Sequence, residues 1–136
     1  MGESSIHKNY IQLIYNKTLK IIPDNHSKLI LVDGYDSLLK NDISPIIGGY
    51  RPDLYYEFDS LMIIGEAKTQ EDFSKKHSIN QYNEYLKNCA NYNGTSYLLL
   101  CCPWQCTVSL KSIIKKLKSN YSDKINIIFI DEISGD

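Results

Sequence analysis

Two strand-like runs, residues 53–58 and 61–68, are separated by Asp59 and Ser60 alone. Two residues are the length of a tight hairpin turn, and Asp and Ser suit one. No other feature constrains the fold as much, because this spacing sets a register. With Phe58 opposite Leu61, Asp53 lies across from Glu66 and Arg51 across from Lys68. Side chains alternate along a strand. Leu54, Tyr56, Phe58, Leu61, Ile63 and Ala67 therefore share an apolar face. Asp53, Glu66 and Lys68 share the other, which is expected to be a polar cleft. Pro52 begins the first of these strands, where proline is permitted.

The remaining elements follow from hydrophobic period. Residues 3–21 predict a helix, with Ile6, Tyr10, Leu13, Ile14 and Ile21 as its apolar stripe and Pro23 as its stop. Residues 28–32 predict a short strand. Residues 34–50 hold Gly34, Pro45, Gly48 and Gly49 and predict an irregular connection. A second helix is expected over 72–92, with Ile79, Tyr82 and Leu86 inward and Gly94 beyond its end. Buried strands are expected over 95–102 and 124–130, and a third helix over 107–120 with Leu110, Ile113, Ile114 and Leu117 inward. Continuous apolar runs in the last two strands require a sheet covered on both faces. The expected fold is α/β: a three-layer α/β/α sandwich with a mixed central sheet, as one domain over residues 1–136.

Composition excludes several function classes. The 136 residues carry 43% hydrophobic and 23% charged side chains, ordinary for a globular domain. No apolar run reaches the roughly 18 residues of a membrane span, and the first ten residues hold no apolar signal core, so a cytoplasmic protein is expected. Net charge is −1, from 15 basic and 16 acidic residues, which argues against indiscriminate coating of DNA. Contact with phosphate must come from a local patch; Lys75 and Lys76, and Lys111, Lys115 and Lys118 on one helix face, are candidates, although such charges are most often a solvated face. Cys89, Cys101, Cys102 and Cys106 form no Cys-x-x-Cys pair and are expected as buried free thiols, Cys101 and Cys102 on opposite faces.

The chemistry lies in the hairpin. Opposed side chains sit about 5 Å apart at Cβ, so Asp53 and Glu66 repel each other unless a cation or a shared proton offsets the repulsion. All-oxygen ligands favour Mg²⁺, with Mn²⁺ as substitute. Such an ion polarises a phosphate and activates water. Lys68 is placed to orient that water and to stabilise developing negative charge. His77, Gln81 and Tyr85 recur at helical spacing on one face of the second helix.

These residues resemble a known superfamily. Pro52-Asp53, followed by Glu66-Ala67-Lys68, resembles the PD-(D/E)XK nuclease signature. Gln81-x-x-x-Tyr85 is similar to the Q-x-x-x-Y motif of the branch that includes exonuclease-type and VRR-type nucleases. The resemblance covers residues 3–102, and the order of elements matches the restriction-endonuclease-like core. It implies that Asp53, Glu66 and the backbone carbonyl of Ala67 hold the metal, that Lys68 assists the nucleophilic water, and that Gln81 and Tyr85 line the cleft, with His77 a further candidate for substrate contact. An acidic residue on the first helix often adds a metal or water contact. Glu3 is the candidate here, and helix capping explains it equally well. The implied activity is metal-dependent hydrolysis of phosphodiester bonds in DNA, in a restriction, defence or repair context. A domain this small is expected to act as a homodimer or within a larger complex. Two other readings stay open: a catalytically inactive nucleic-acid-binding or scaffolding module, and an RNA endonuclease of the same fold.

Overall fold

A computed structural model describes residues 5–33, 44–121 and 124–133. The chain is α/β, with a five-stranded mixed sheet and helices against it. Helix α1 spans Ser5–Ile21. Strand β1, Leu31–Val32, follows a 3₁₀ helix over Asp24–Leu29. Strands β2, Leu54–Phe58, and β3, Leu61–Ala67, form the hairpin. Then come α2, Lys76–Asn91; β4, Thr95–Cys101; α3, Thr107–Lys118; and β5, Asn126–Ile130. The sheet order is β1-β2-β3-β4-β5. The first three strands are antiparallel, and β3, β4 and β5 are parallel through the α2 and α3 crossovers.

The hairpin register is the expected one: Leu54 pairs with Gly65 and Phe58 with Leu61. Asp59 and Ser60 both have positive φ, +54° and +65°, as a type I′ turn requires to match strand twist. A second tight turn closes at Gly48 and Gly49, also at positive φ, where Ile47 and Tyr50 bridge.

Two apolar clusters flank the sheet. Tyr10, Ile11 and Ile14 of α1 pack with Leu54, Tyr56, Ile63 and Leu99 on one side. Tyr82, Tyr85 and Leu86 of α2 and Leu110 and Ile114 of α3 pack with Met62, Ile64, Leu98 and Leu100 on the other. All four cysteines are free and buried, with Cys101 and Cys102 in opposite clusters as alternation dictates. Among the described residues, no helix is long and apolar enough to cross a membrane.

The structure corrects four expectations. Residues 28–29 belong to the 3₁₀ helix, not to a strand; Pro23 and Asp24 begin a turn that runs through them. The apolar stripe of α1 is rotated, so Ile11, Ile14 and Thr18 are buried while Ile6 is 55% exposed. Phe58 lies beyond the cover of α1 and is half exposed, meeting the His26 ring edge-on instead of the core. The second face of the hairpin is not a cleft along its length, because Met62 and Ile64 are buried there under α2. Only its end is polar.

Candidate active site

The polar end begins where the β2–β3 ladder stops. Past the last pair, Leu54–Gly65, the Ala67 N–H donates to the carboxylate Oδ2 of Asp53 at 2.8 Å, a side chain replacing a backbone acceptor. The Asp53 carbonyl meanwhile accepts from the Asp33 N–H at 2.9 Å. On the other side the Lys68 N–H donates to the Cys101 carbonyl at 2.8 Å, carrying the β3–β4 ladder one residue further. Both backbone anchors hold the Glu66–Lys68 segment extended. Glu66 and Lys68 thus point toward α2, on the face shared by Met62 and Ile64.

Asp53, Glu66, Lys68 and Gln81 are all buried polar residues. The Lys68 ammonium donates to Gln81 Oε1 and lies 3.5 Å from Glu66 Oε2. The Tyr85 hydroxyl donates to the other oxygen of Glu66 at 3.2 Å. One turn of α2 separates Gln81 from Tyr85, so a single helix face braces both charges. Tyr82 and Leu86 are buried beside them and Ile79 is half-buried, as the period predicts. Burial, and next the charge of Asp53, hold the Glu66 carboxyl well above the ordinary carboxylate range; Lys68, Tyr85 and His7 pull the other way. Burial and the Glu66 charge push the Tyr85 phenol far up, so it stays a proton donor.

A residue that sequence reasoning assigned nothing completes the group. His7, on the first turns of α1, places its Nε2 3.2 Å from the Ala67 carbonyl oxygen and 3.4 Å from Asp53 Oδ2. Since a carbonyl only accepts, Nε2 carries the hydrogen in this arrangement. The cause of the approach is Gly65. A Cβ there would stand 2.6 Å from Ile14 Cγ2, so only glycine lets α1 lie this close to β3. The sequence held one signal: His7 lies four residues before Ile11 and seven before Ile14, on the buried stripe. Asp33 is a further acid nearby, 4.0 Å from Arg51 Nε, its carboxyl raised by burial.

The other candidates fall elsewhere. His77 is exposed at the start of α2 and its ring meets Tyr50 edge-on, with centroids 5.3 Å apart. Glu3 lies outside the described residues. Lys75 pairs with Asp72 at 3.2 Å, and Lys111 lies over the Phe129 ring.

The oxygen donors, two carboxylates and one backbone carbonyl, suit Mg²⁺ or Mn²⁺, while the His7 imidazole beside them is a donor more typical of transition metals such as Zn²⁺. Among the described residues, no group of three or more His, Cys, Asp or Glu side chains is arranged to hold a metal ion. The chain matches no family model, no curated protein and no solved structure.

Proposed function

We propose that this chain is a metal-dependent nuclease hydrolysing phosphodiester bonds in DNA, built as a three-layer α/β/α sandwich with a restriction-endonuclease-like core. One observation carries the reading: two carboxylates and a lysine are buried together at the end of β3, where packing alone would favour apolar side chains. Burying charge costs several kcal/mol per ion, and Glu66 bears that cost in the form of a raised pKa. A divalent cation offsets it.

Asp53, Glu66 and the Ala67 carbonyl would hold the ion. His7, once neutral at Nε2, would be the third side-chain donor, since it already reaches Asp53 and Ala67. A bound Mg²⁺ supplies Lewis-acid polarisation of the phosphate and a lowered pKa for water. The chain's own groups do the rest. Lys68, fixed between Glu66 and Gln81, orients the attacking water and meets the negative charge that develops on the phosphate oxygens. Tyr85 holds Glu66 in one rotamer. Gln81 aims Lys68 without competing for the phosphate.

One observation favours a second reading, a nucleic-acid-binding or scaffolding module of the same fold that does no chemistry: among the described residues no three His, Cys, Asp or Glu side chains are arranged to hold a metal ion. The two separate in one experiment. Single-stranded, duplex and branched DNA, with matched RNA, are incubated with the chain in Mg²⁺ or Mn²⁺, and Mn²⁺ affinity is measured by calorimetry. A nuclease cuts DNA and binds Mn²⁺ stoichiometrically. Lys68→Ala lowers the cleavage rate by about 10²–10³-fold or more while Mn²⁺ affinity holds or rises, because a neighbouring cation is gone. Asp53→Ala loses both. If Asp53→Ala cuts and binds Mn²⁺ as the parent does, the reading fails.

A further inference from the structure

Beside the candidate site lies a cavity of about 410 Å³, within the range of small-ligand sites. Thr69, Gln70 and Glu71, which directly follow Lys68, form one wall. Tyr10, on the next turn of α1 from His7, forms another, and Gln105 and Glu132 close it. A second cavity of about 540 Å³ adjoins it, sharing Ile6, Tyr10 and Glu132.

The lining is not that of a phosphate site. Among the described residues no lysine or arginine lines either cavity. The polar groups of the first cavity are two carboxylates, Glu71 and Glu132, two side-chain amides, Gln70 and Gln105, and two hydroxyls, Tyr10 and Thr69. Burial, and next the Glu132 carboxylate, push the Tyr10 phenol up to about 12, so it stays a proton donor in the cavity wall. Glu132 is held in place, its Oε1 accepting the Trp104 backbone N–H at 3.0 Å. Gln70, Glu71 and Gln105 are exposed, and no hydrogen bond among the described residues holds their side chains. Trp104 itself, between the lining residues Pro103 and Gln105, is 51% exposed, and Ile6 at the mouth is 55% exposed.

We infer that this cavity seats one unpaired base of the substrate strand, preferring a base with an exocyclic amine over thymine, which has none, with Trp104 as the stacking platform for its neighbour. Carboxylates accept from such an amine, and side-chain amides pair with ring nitrogens and carbonyls. A whole base enters a cavity only when it is out of the duplex stack, so the favoured substrate is single-stranded or locally opened. Stacking on a half-exposed indole is sequence-tolerant, because every base has a π-face. The cavity lies on the α1 side of the sheet, with Thr69 next in the chain after Lys68 and Tyr10 one turn of α1 from His7, so a base seated there belongs to a strand that reaches the site past His7. This inference rests on the nuclease reading for its chemistry but not for its test.

Trp104 is the only tryptophan of the chain, so its emission reports on the site directly. The full chain, in chelator, is titrated with single-stranded oligo-deoxyadenylate, oligo-deoxycytidylate and oligo-deoxythymidylate of equal length. Saturable quenching is expected, with the adenine and cytosine strands bound about tenfold more tightly than thymine, the factor for roughly 1.4 kcal/mol of discrimination. Glu132→Gln keeps an acceptor for the Trp104 N–H but removes the charge, and should shrink that preference. Gln105→Leu should weaken binding of all three without lowering Tm. If the chain binds with this preference yet cuts nothing in Mg²⁺, the base site stands and the nuclease reading falls. If it cuts while Trp104 emission ignores every strand or treats the three alike, the base site is overturned and the nuclease reading stands. Emission that follows protein concentration instead of oligonucleotide also overturns it, by making this face a contact between copies of the chain.

Discussion

The two ends of β3 are buried beneath the same helix and are made of opposite materials. Toward the hairpin turn, Met62 and Ile64 point at α2 among Tyr82 and Leu86. Toward the other end, on the same face, stand Glu66 at 4% exposure and Lys68 at 9%. Burial is nearly equal, so the chemistry alone differs. Each apolar side chain gains about 1.5–3 kcal/mol on leaving water. Each charge loses hydration that Tyr85, Gln81 and the Glu66–Lys68 pair restore only in part. The backbone differs as well. The turn end holds two non-glycine residues at positive φ, whereas the site end is extended and anchored to β4. One end carries conformational strain that topology demands. The other carries electrostatic strain that topology does not need, and that is the argument for function.

Substitutions along this one strand should separate the two kinds of cost. The largest effect is expected at the apolar end. Ile64→Ala removes a fully buried side chain and should lower unfolding free energy by about 2–5 kcal/mol, read from urea denaturation, without changing Mn²⁺ affinity in molecules that remain folded. An Ile64→Ala chain as stable as the parent would mean that this row is not the core of the α2 side.

Gly65→Ala tests how the ends are joined. The new methyl meets Ile14 and, at 3.2 Å, the Cβ of Leu54. Overpacking of this kind costs about 1–3 kcal/mol. Because it lifts α1, it should also draw His7 away from Ala67 and Asp53 and weaken Mn²⁺ binding, though no ligand has been altered. A loss of stability with unchanged Mn²⁺ affinity would remove His7 from the donor set.

Glu66→Gln reverses the sign. Burial raises the Glu66 pKa in the folded chain. The stability that a protonated Glu66 contributes is complete below the unfolded value of about 4.3 and is lost as pH rises through the raised folded value. A glutamine keeps the neutral form at every pH. In chelator at pH 8 the variant should therefore melt higher than the parent, by roughly 3 °C or more, about 1 kcal/mol in a chain of this length. The gap should close as pH falls toward 4, and cleavage should be lost throughout. A variant that melts lower at pH 8 would show Glu66 to be a net stabilising partner of Lys68.

Sequence alone made the hairpin and its trio of charged residues legible, because a two-residue turn and a period of two leave one register. Gln81 and Tyr85 were legible from helical spacing. Residues 28–29 were not: a short apolar run reads as strand, and the 3₁₀ turn depends on how Pro23 and Asp24 direct the chain. The exposure of Ile6 and Phe58 was hidden because period identifies a face but not how far a neighbouring element covers it. His7 was hidden for a related reason. Nothing near it in sequence marks a site, and only the packing of α1 over Gly65 carries it to Asp53. Tyr50, Tyr55 and Tyr85 are natural candidates for base stacking, yet Tyr85 is fully buried and the Tyr55 hydroxyl donates to Glu57. Trp104, with no motif around it, is exposed.

The smallest effect belongs to the turn. Ser60 sits at φ +65° and Asp59 at +54°. Aspartate visits this region more readily than serine, since its side chain bonds locally. Glycine at 60 has no Cβ to crowd the following carbonyl, and the left-handed conformation costs an ordinary residue about 1–2 kcal/mol. Part of that gain is returned, because glycine gives the unfolded chain more freedom to lose. The net expectation for Ser60→Gly is a gain of about 0.5 kcal/mol. The Ser60 carbonyl that accepts from Thr95 is backbone and survives the change. Unlike Glu66→Gln, this relief should leave Mn²⁺ affinity and cleavage untouched, since the strain it removes lies at the far end of β3 from the carboxylates. Equilibrium denaturation and a cleavage assay on the same preparation check both halves. A Ser60→Gly chain that is stabilised but cuts poorly would mean that the turn, too, is strained for the sake of the site.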